Sequence, residues 1–129
     1  MSGFLLDTNV ILLAGFRSAT LPQETKNAIE KGPNYLSVVS YWEIVFKSMK
    51  GRLKVGDPLS WWSEALRQMA ATPLLLRPEH VAEVCALPPI HQDPFDRVLI
   101  AQAKVEECTL LTTDHQIALY ADRRLRVIH

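Results

Sequence analysis

Short apolar runs alternate along the chain with longer stretches whose hydrophobic residues recur every three or four positions, the pattern of strands interleaved with helices. Residues 3–6 read as a first strand, short and apolar, as expected of a parallel strand covered on both faces. Thr8 and Asn9 can cap the helix predicted over residues 10–16, and a second helix is predicted over 22–31, stopped by Gly32 and Pro33. Residues 35–39 form the second predicted strand, after which Ser40 opens a helix to about Lys50 that ends at Gly51. Asp57 followed by Pro58 is a cap with proline at the first helical position, and Leu59, Trp62, Leu66 and Met69 recur behind it at helical spacing. Trp61 lies off that stripe, facing either a partner or the rim of the core. A third strand is predicted over 73–77 and a short helix over 79–87, closed by Pro88 and Pro89. Asp93 and Pro94 start a further helix to Glu107, apolar at Val98, Leu99, Ala101 and Ala103. Residues 109–112 make a fourth strand and 125–128 a fifth at the edge. The expected architecture is one α/β domain over residues 1–129, a central parallel sheet of four to five strands flanked by helices.

Composition narrows the partners. The 129 residues are 48% hydrophobic and 22% charged, a globular balance, with 14 Lys and Arg against 14 Asp and Glu. A net charge of zero gives no global attraction to nucleic acid, so any such partner must be met by local basic patches and bound metal. No apolar run approaches the roughly 20 residues of a membrane span, and residues 1–6 lack the basic start and long apolar segment of a leader. Cys85 and Cys108 have no metal-ligand spacing and are expected to be free, buried thiols in a reducing cytoplasm.

The chemistry is carried by four acids. Asp7 comes directly after the first strand and Asp114 directly after the fourth. Glu43 is expected in the first turn of the helix after the second strand, and Asp96 in the first turn of the helix before the fourth. In a doubly wound sheet the carboxyl ends of parallel strands share one edge, which brings Asp7, Glu43 and Asp114 together; Asp96 joins them if the loop 88–92 returns the chain to that rim. Gathered carboxylates repel unless something neutralises them. A hard divalent cation does so, taking oxygen ligands and substrate phosphate oxygens, so the set points to metal-assisted phosphoryl chemistry. Each acid alone has a structural alternative. Ser40 and Glu43 fit a capping box, Asp93 fits an N-cap, and Asp96 suits a helix first turn. Asp7 can cap or turn the chain after the first strand, and Asp114 can cap a helix starting near His115. The case rests on their coincidence.

These residues resemble the motifs of a known family. Leu5-Leu6-Asp7-Thr8-Asn9-Val10 resembles the opening motif of PIN domains, and Ser37-Val38-Val39-Ser40-Tyr41-Trp42-Glu43-Ile44 the second. The third, from His91 through Asp93-Pro94-Phe95-Asp96-Arg97 to Ala103, takes the form found in VapC-like toxins, and Leu111-Thr112-Thr113-Asp114 matches the fourth. The resemblance implies a Rossmann-like PIN fold with the first and fourth strands adjacent. It also implies Mg²⁺- or Mn²⁺-dependent endoribonuclease activity, a homodimer, and a VapB-like antitoxin that blocks the site. By position it gives the metal-binding roles to Asp7, Glu43, Asp96 and Asp114, with Asn9 and Thr113 as polar support; Asp93 is an additional acid that leaves open which aspartate of the third motif lies closer to metal.

Other residues are read more plainly. Lys47, Lys50, Arg52 and Lys54 form either a phosphate-binding rim or a solvated face, and Arg97 pairs either with a local carboxylate or with phosphate. His91 and His115 are expected in loop or capping roles. Competing functions are an aspartyl-phosphate phosphotransferase, which the Thr8-Asn9 sequence after Asp7 disfavours, a non-catalytic RNA- or protein-binding PIN module, and a structural or interaction protein.

Overall fold

The computed structural model describes residues 2–16 and 18–129; Met1, the first residue of the stretch read as lacking a leader, lies outside them. Its elements run β1 (Phe4–Leu6), α1 (Thr8–Phe16), a 3₁₀ turn (Ser18–Thr20), α2 (Gln23–Lys31), β2 (Asn34–Ser37), α3 (Val38–Met49), α4 (Pro58–Gln68), β3 (Ala71–Leu74), α5 (Pro78–Val84), α6 (Pro94–Glu106), β4 (Thr109–Leu111), α7 (His115–Ala118) and β5 (Val127–Ile128). The five strands form one parallel sheet in the order β3-β2-β1-β4-β5. The order reverses at β1, whose Leu6 is opposite Leu111 of β4, and the carboxyl ends of these two strands form the crevice where such sheets bind ligands.

Alternation along the strands divides the core. Leu5 and Leu110 pack on one face with Ile100, Ala101 and Ala103 of α6, while Leu6, Leu36 and Leu111 pack on the other with Val10, Ile11 and Trp62. Strands buried on both faces need apolar residues at consecutive positions, which is why β1 and β4 read as unbroken runs. Among the described residues no helix is long and apolar enough to cross a membrane.

The structure moves several expected boundaries. The second strand ends at Ser37, not Val39, because the Ser37 side chain accepts from Val39 N–H at 3.0 Å and starts α3 there. Val38 and Val39, β-branched and strand-like in sequence, are the first turn of a helix whose buried face is Val39, Ser40, Glu43 and Ile44. The Ser40–Glu43 capping box therefore does not form. Ser40 instead accepts a 2.9 Å hydrogen bond from Thr8, tying α3 to α1. The third strand is Ala71–Leu74 rather than 73–77, since its neighbour β2 turns into α3 after Ser37, the partner of Leu74, leaving residues 75–77 nothing to pair with. Pro73 is tolerated because β3 is an edge strand. Of the α4 stripe, Trp62 and Met69 are buried with Ala65, but Leu59 is exposed at the first turn. Trp61 packs on the core rim and stacks on Phe16 at 6.4 Å between ring centres. Both cysteines are free, but only Cys108 is buried; Cys85 is exposed where α5 ends.

Candidate metal centre

Four segments bring their acids to the mouth of the β1–β4 crevice, in a cleft lined by Asp7, Glu43, Asp96 and Asp114 together with Asn9, Lys47, Asp93 and Thr113. Asp7 leaves β1 with its backbone N–H bonded to Leu111 O at 2.9 Å, so the strand pairing itself sets its height. One carboxylate oxygen accepts from Val10 N–H at 2.8 Å and the other from the Thr112 hydroxyl. Glu43, in the second turn of α3, is 3% exposed; one of its oxygens pairs with Lys47 at 2.8 Å and the other, Oε1, is buried with no hydrogen-bond partner. Asp114 caps α7 through Oδ1, which accepts from Gln116 N–H at 2.8 Å, leaving Oδ2 toward the cleft. Asp93 is the N-cap of α6, accepting from Phe95 N–H at 2.8 Å and Asp96 N–H at 3.3 Å through one oxygen. Asp96, one turn on, is thereby free of capping.

The electrostatics result from this crowding. Burial pushes the Asp7 carboxyl up to about 6 although Thr112 and Val10 hydrogen-bond to it, and the charges of Asp96 and Glu43 push the same way. Burial likewise raises Asp96 to about 6, helped by the charge of Asp93 and opposed by a hydrogen bond from His91. Two carboxyls with raised pKa values and a third acid with an orphaned buried oxygen form a donor set of hard oxygens short of positive charge. That set fits a divalent cation of the Mg²⁺ or Mn²⁺ type.

Two residues, His91 and Arg97, have roles that differ from the sequence reading, and a third, Thr112, was given none there beyond its place in the fourth motif. His91 was expected in a loop or cap; its Nε2 lies 2.8 Å from Asp96 Oδ2 and 3.4 Å from Asp114 Oδ2, in the cluster itself. Thr112 bonds to Asp7 and also accepts from Asp114 N–H at 3.0 Å, linking the acids of β1 and β4. Its position two residues before Asp114 was the available signal. Arg97 was assigned to a carboxylate or a phosphate. Its guanidinium instead donates to the carbonyls of Val84, Leu87, Pro88 and His91 at 3.0–3.4 Å and to the Tyr120 hydroxyl at 3.3 Å, tying the end of α5 to the loop that follows it. Of the expected basic rim, Lys47 faces Glu43, Lys50 covers the Phe46 ring at 4.5 Å, Arg52 lines an adjoining groove and Lys54 is exposed. Asn9 donates to Thr113 at 2.7 Å across the cleft edge.

The PIN domain model matches residues 4–123 of the chain. No curated protein sequence matches it. Among solved structures, the chain is similar to one in VapBC2 from Rickettsia felis bound to a DNA fragment from their promoter, with 14% identity and a TM-score of 0.73 over 99% of this chain and 98% of that one. It is also similar to one in DNA-bound VapBC from Salmonella typhimurium, with 13% identity and a TM-score of 0.69 over 99% and 98% of the two chains. A third similarity is to FitAcB from Neisseria gonorrhoeae, with 22% identity and a TM-score of 0.62 over 98% and 96%. With the parallel sheet in its 3-2-1-4-5 order and the acids at its crevice, the family match over nearly the whole length identifies the chain as a member of the PIN domain family.

Proposed function

We propose that this chain is a metal-dependent endoribonuclease of the VapC type, acting in the cytoplasm as the toxin of a toxin–antitoxin pair. The observation that carries the reading is the convergence of Asp7, Glu43, Asp96 and Asp114 from four segments into one cleft, with charge left uncompensated. Asp7, Asp96 and Asp114 hold Mg²⁺ or Mn²⁺ in this reading, and Glu43 contributes directly or through water. When bound, such a cation supplies an activated water and neutralises charge on a phosphodiester. Thr112 and Val10 orient the Asp7 carboxylate. Lys47 offsets the charge of Glu43 and offers a cation to an incoming phosphate, while the Asn9–Thr113 pair sets polar groups at the cleft edge.

RNA as substrate, a VapB-like antitoxin and a homodimer extend the family relationship to this chain. The similar complexes from Rickettsia and Salmonella support the antitoxin. An apolar groove beside the acids, lined by Trp42, Phe46, Leu76 and Phe95, supports a protein that works in an assembly, since Trp42 alone is 61% exposed.

The test is cleavage of labelled total RNA with Mg²⁺, Mn²⁺ or EDTA by the wild type and Asp7→Asn. Discrete fragments are expected with metal only, reduced at least about a hundredfold in the variant, the scale for removing a group that stabilises developing charge. A variant as active as the wild type sinks the assignment. Metal-independent RNA binding without cleavage would instead favour the non-catalytic module.

A further inference from the structure

We propose that His91 is a nitrogen ligand of the same cation as Asp96 and Asp114, and that it makes the site select Mn²⁺ over Mg²⁺. The inference rests on the metal-dependent function proposed for this centre. His91 Nε2, 2.8 Å from Asp96 Oδ2 and 3.4 Å from Asp114 Oδ2, belongs to a set of three donor atoms that all lie within 4.8 Å of one another. Around an octahedral ion with ligands at about 2.1 Å, neighbouring donors stand roughly 3 Å apart and opposite ones roughly 4.2 Å. Both distances from His91 Nε2 match neighbouring positions of one coordination sphere. In the metal-free protein an Nε2–H group can satisfy the two carboxylates; on ligation the ring carries its proton on Nδ1 instead.

Two independent features support a built site. The backbone around His91 is held rigidly: its N–H donates to the Tyr120 hydroxyl at 2.7 Å, its carbonyl accepts from Arg97 at 3.4 Å, and Tyr120 in turn donates to Pro88 O at 3.0 Å. A ligand so preorganised loses little entropy on binding. On the other side of the cleft, Glu43 Oε1 is buried and lacks a partner, an acceptor with nothing yet to accept from. The donor set is then three or four carboxylates and one imidazole. Imidazole binds first-row transition ions well and Mg²⁺ poorly, whereas carboxylate and water suit both. A single nitrogen therefore tips an oxygen site toward Mn²⁺.

The experiment uses the full chain. Mn²⁺ binding is measured by the loss of the free-ion EPR signal, Mg²⁺ by competition, and ¹⁴N coupling to bound Mn²⁺ by electron spin echo modulation. The wild type is expected to show ¹⁴N modulation, replaced by a ¹⁵N pattern in protein labelled at histidine. His91→Gln, checked for folding by circular dichroism, is expected to lose the modulation and lower the Mn²⁺:Mg²⁺ affinity ratio roughly tenfold. Bound Mn²⁺ without ¹⁴N coupling in the wild type, or coupling that persists in His91→Gln, overturns the assignment while leaving the carboxylate centre intact. No Mn²⁺ binding by the wild type removes both this inference and the metal-dependent function. The wild-type spectrum alone can overturn the inference, and the variant assigns the nitrogen to His91.

Discussion

Two clusters of shielded acidic groups are treated in opposite ways. Behind the sheet edge, Glu106 of α6 accepts from Arg77 and lies 2.7 Å from Nε2 of the fully buried His80, whose Nδ1 accepts from Arg77 N–H at 3.0 Å. Gln102 joins His80 at 3.3 Å and receives the Ser37 hydroxyl at 2.5 Å, so the network reaches the N-cap of α3. Burial pushes the Glu106 carboxyl up, but His80 and Arg77 outweigh it and hold it below the usual range. In the cleft, burial wins: Asp7 and Asp96 are raised to about 6 and Glu43 keeps an unpaired oxygen. The fold can match a buried acid when only stability is at stake. Where it leaves acids unmatched, the compensation has to come from outside the chain.

The largest effect expected on this contrast is at the matched cluster. His80→Ala removes a fully buried ring with partners on both nitrogens and should cost about 3 kcal/mol in a urea melt, with or without metal. A loss of less than about 1 kcal/mol would mean that the network is dispensable.

The unmatched cluster should respond to pH in the opposite sense to an ordinary ion-paired carboxylate. Asp7 and Asp96 titrate near 6 in the fold against 3.8 in the open chain. Their contribution is therefore fully present below about pH 4 and is lost as pH rises through 6, because the folded state binds the extra protons. Metal-free protein should lose roughly 2 kcal/mol of stability per group, about 4–5 kcal/mol for the two, between pH 4 and pH 7, and saturating Mn²⁺ should restore it. Melts in EDTA across that range, which show no such loss if the cluster is already compensated, provide the check.

A smaller change isolates one member. Asp96→Asn should raise metal-free stability by about 1 kcal/mol at pH 7.5 and change nothing at pH 4, since it removes a crowded charge without touching the α6 cap at Asp93. Destabilisation at both pH values would show that Asp96 has a structural role instead.

Much of the centre could be read before the fold was known, and the reasons are specific. Asp7 and Asp114 come after apolar runs that can only be central strands, so topology alone puts them at one edge. Asp93 and Pro94 mark the start of α6 in any context. Glu43 reaches the cleft from the second turn of α3 and not the first, because Val38 and Val39 look like strand residues and the cap is Ser37. The roles of His91 and Arg97 were misjudged, and that of Thr112 was missed, because they depend on contacts that only the folded chain makes. Thr112 meets Asp7 across 105 positions, and Arg97 reaches carbonyls that come within its range only once α5 has ended and the loop has folded back. The end of β3 was set by the length of its neighbour, which no local pattern records.

The sheet order also governs when the centre comes into existence. Asp7 and its partners on β4 are separated by more than a hundred residues of synthesis, and β4 must slot in beside β1 before Thr112 and Asp114 arrive. At translation rates of roughly 5–20 residues per second, that interval is several seconds or more. A growing chain still on its ribosome can already hold β1 against β2, yet it carries an incomplete set of acids. The acid set is thus complete only after β4 has been made and has slotted in beside β1.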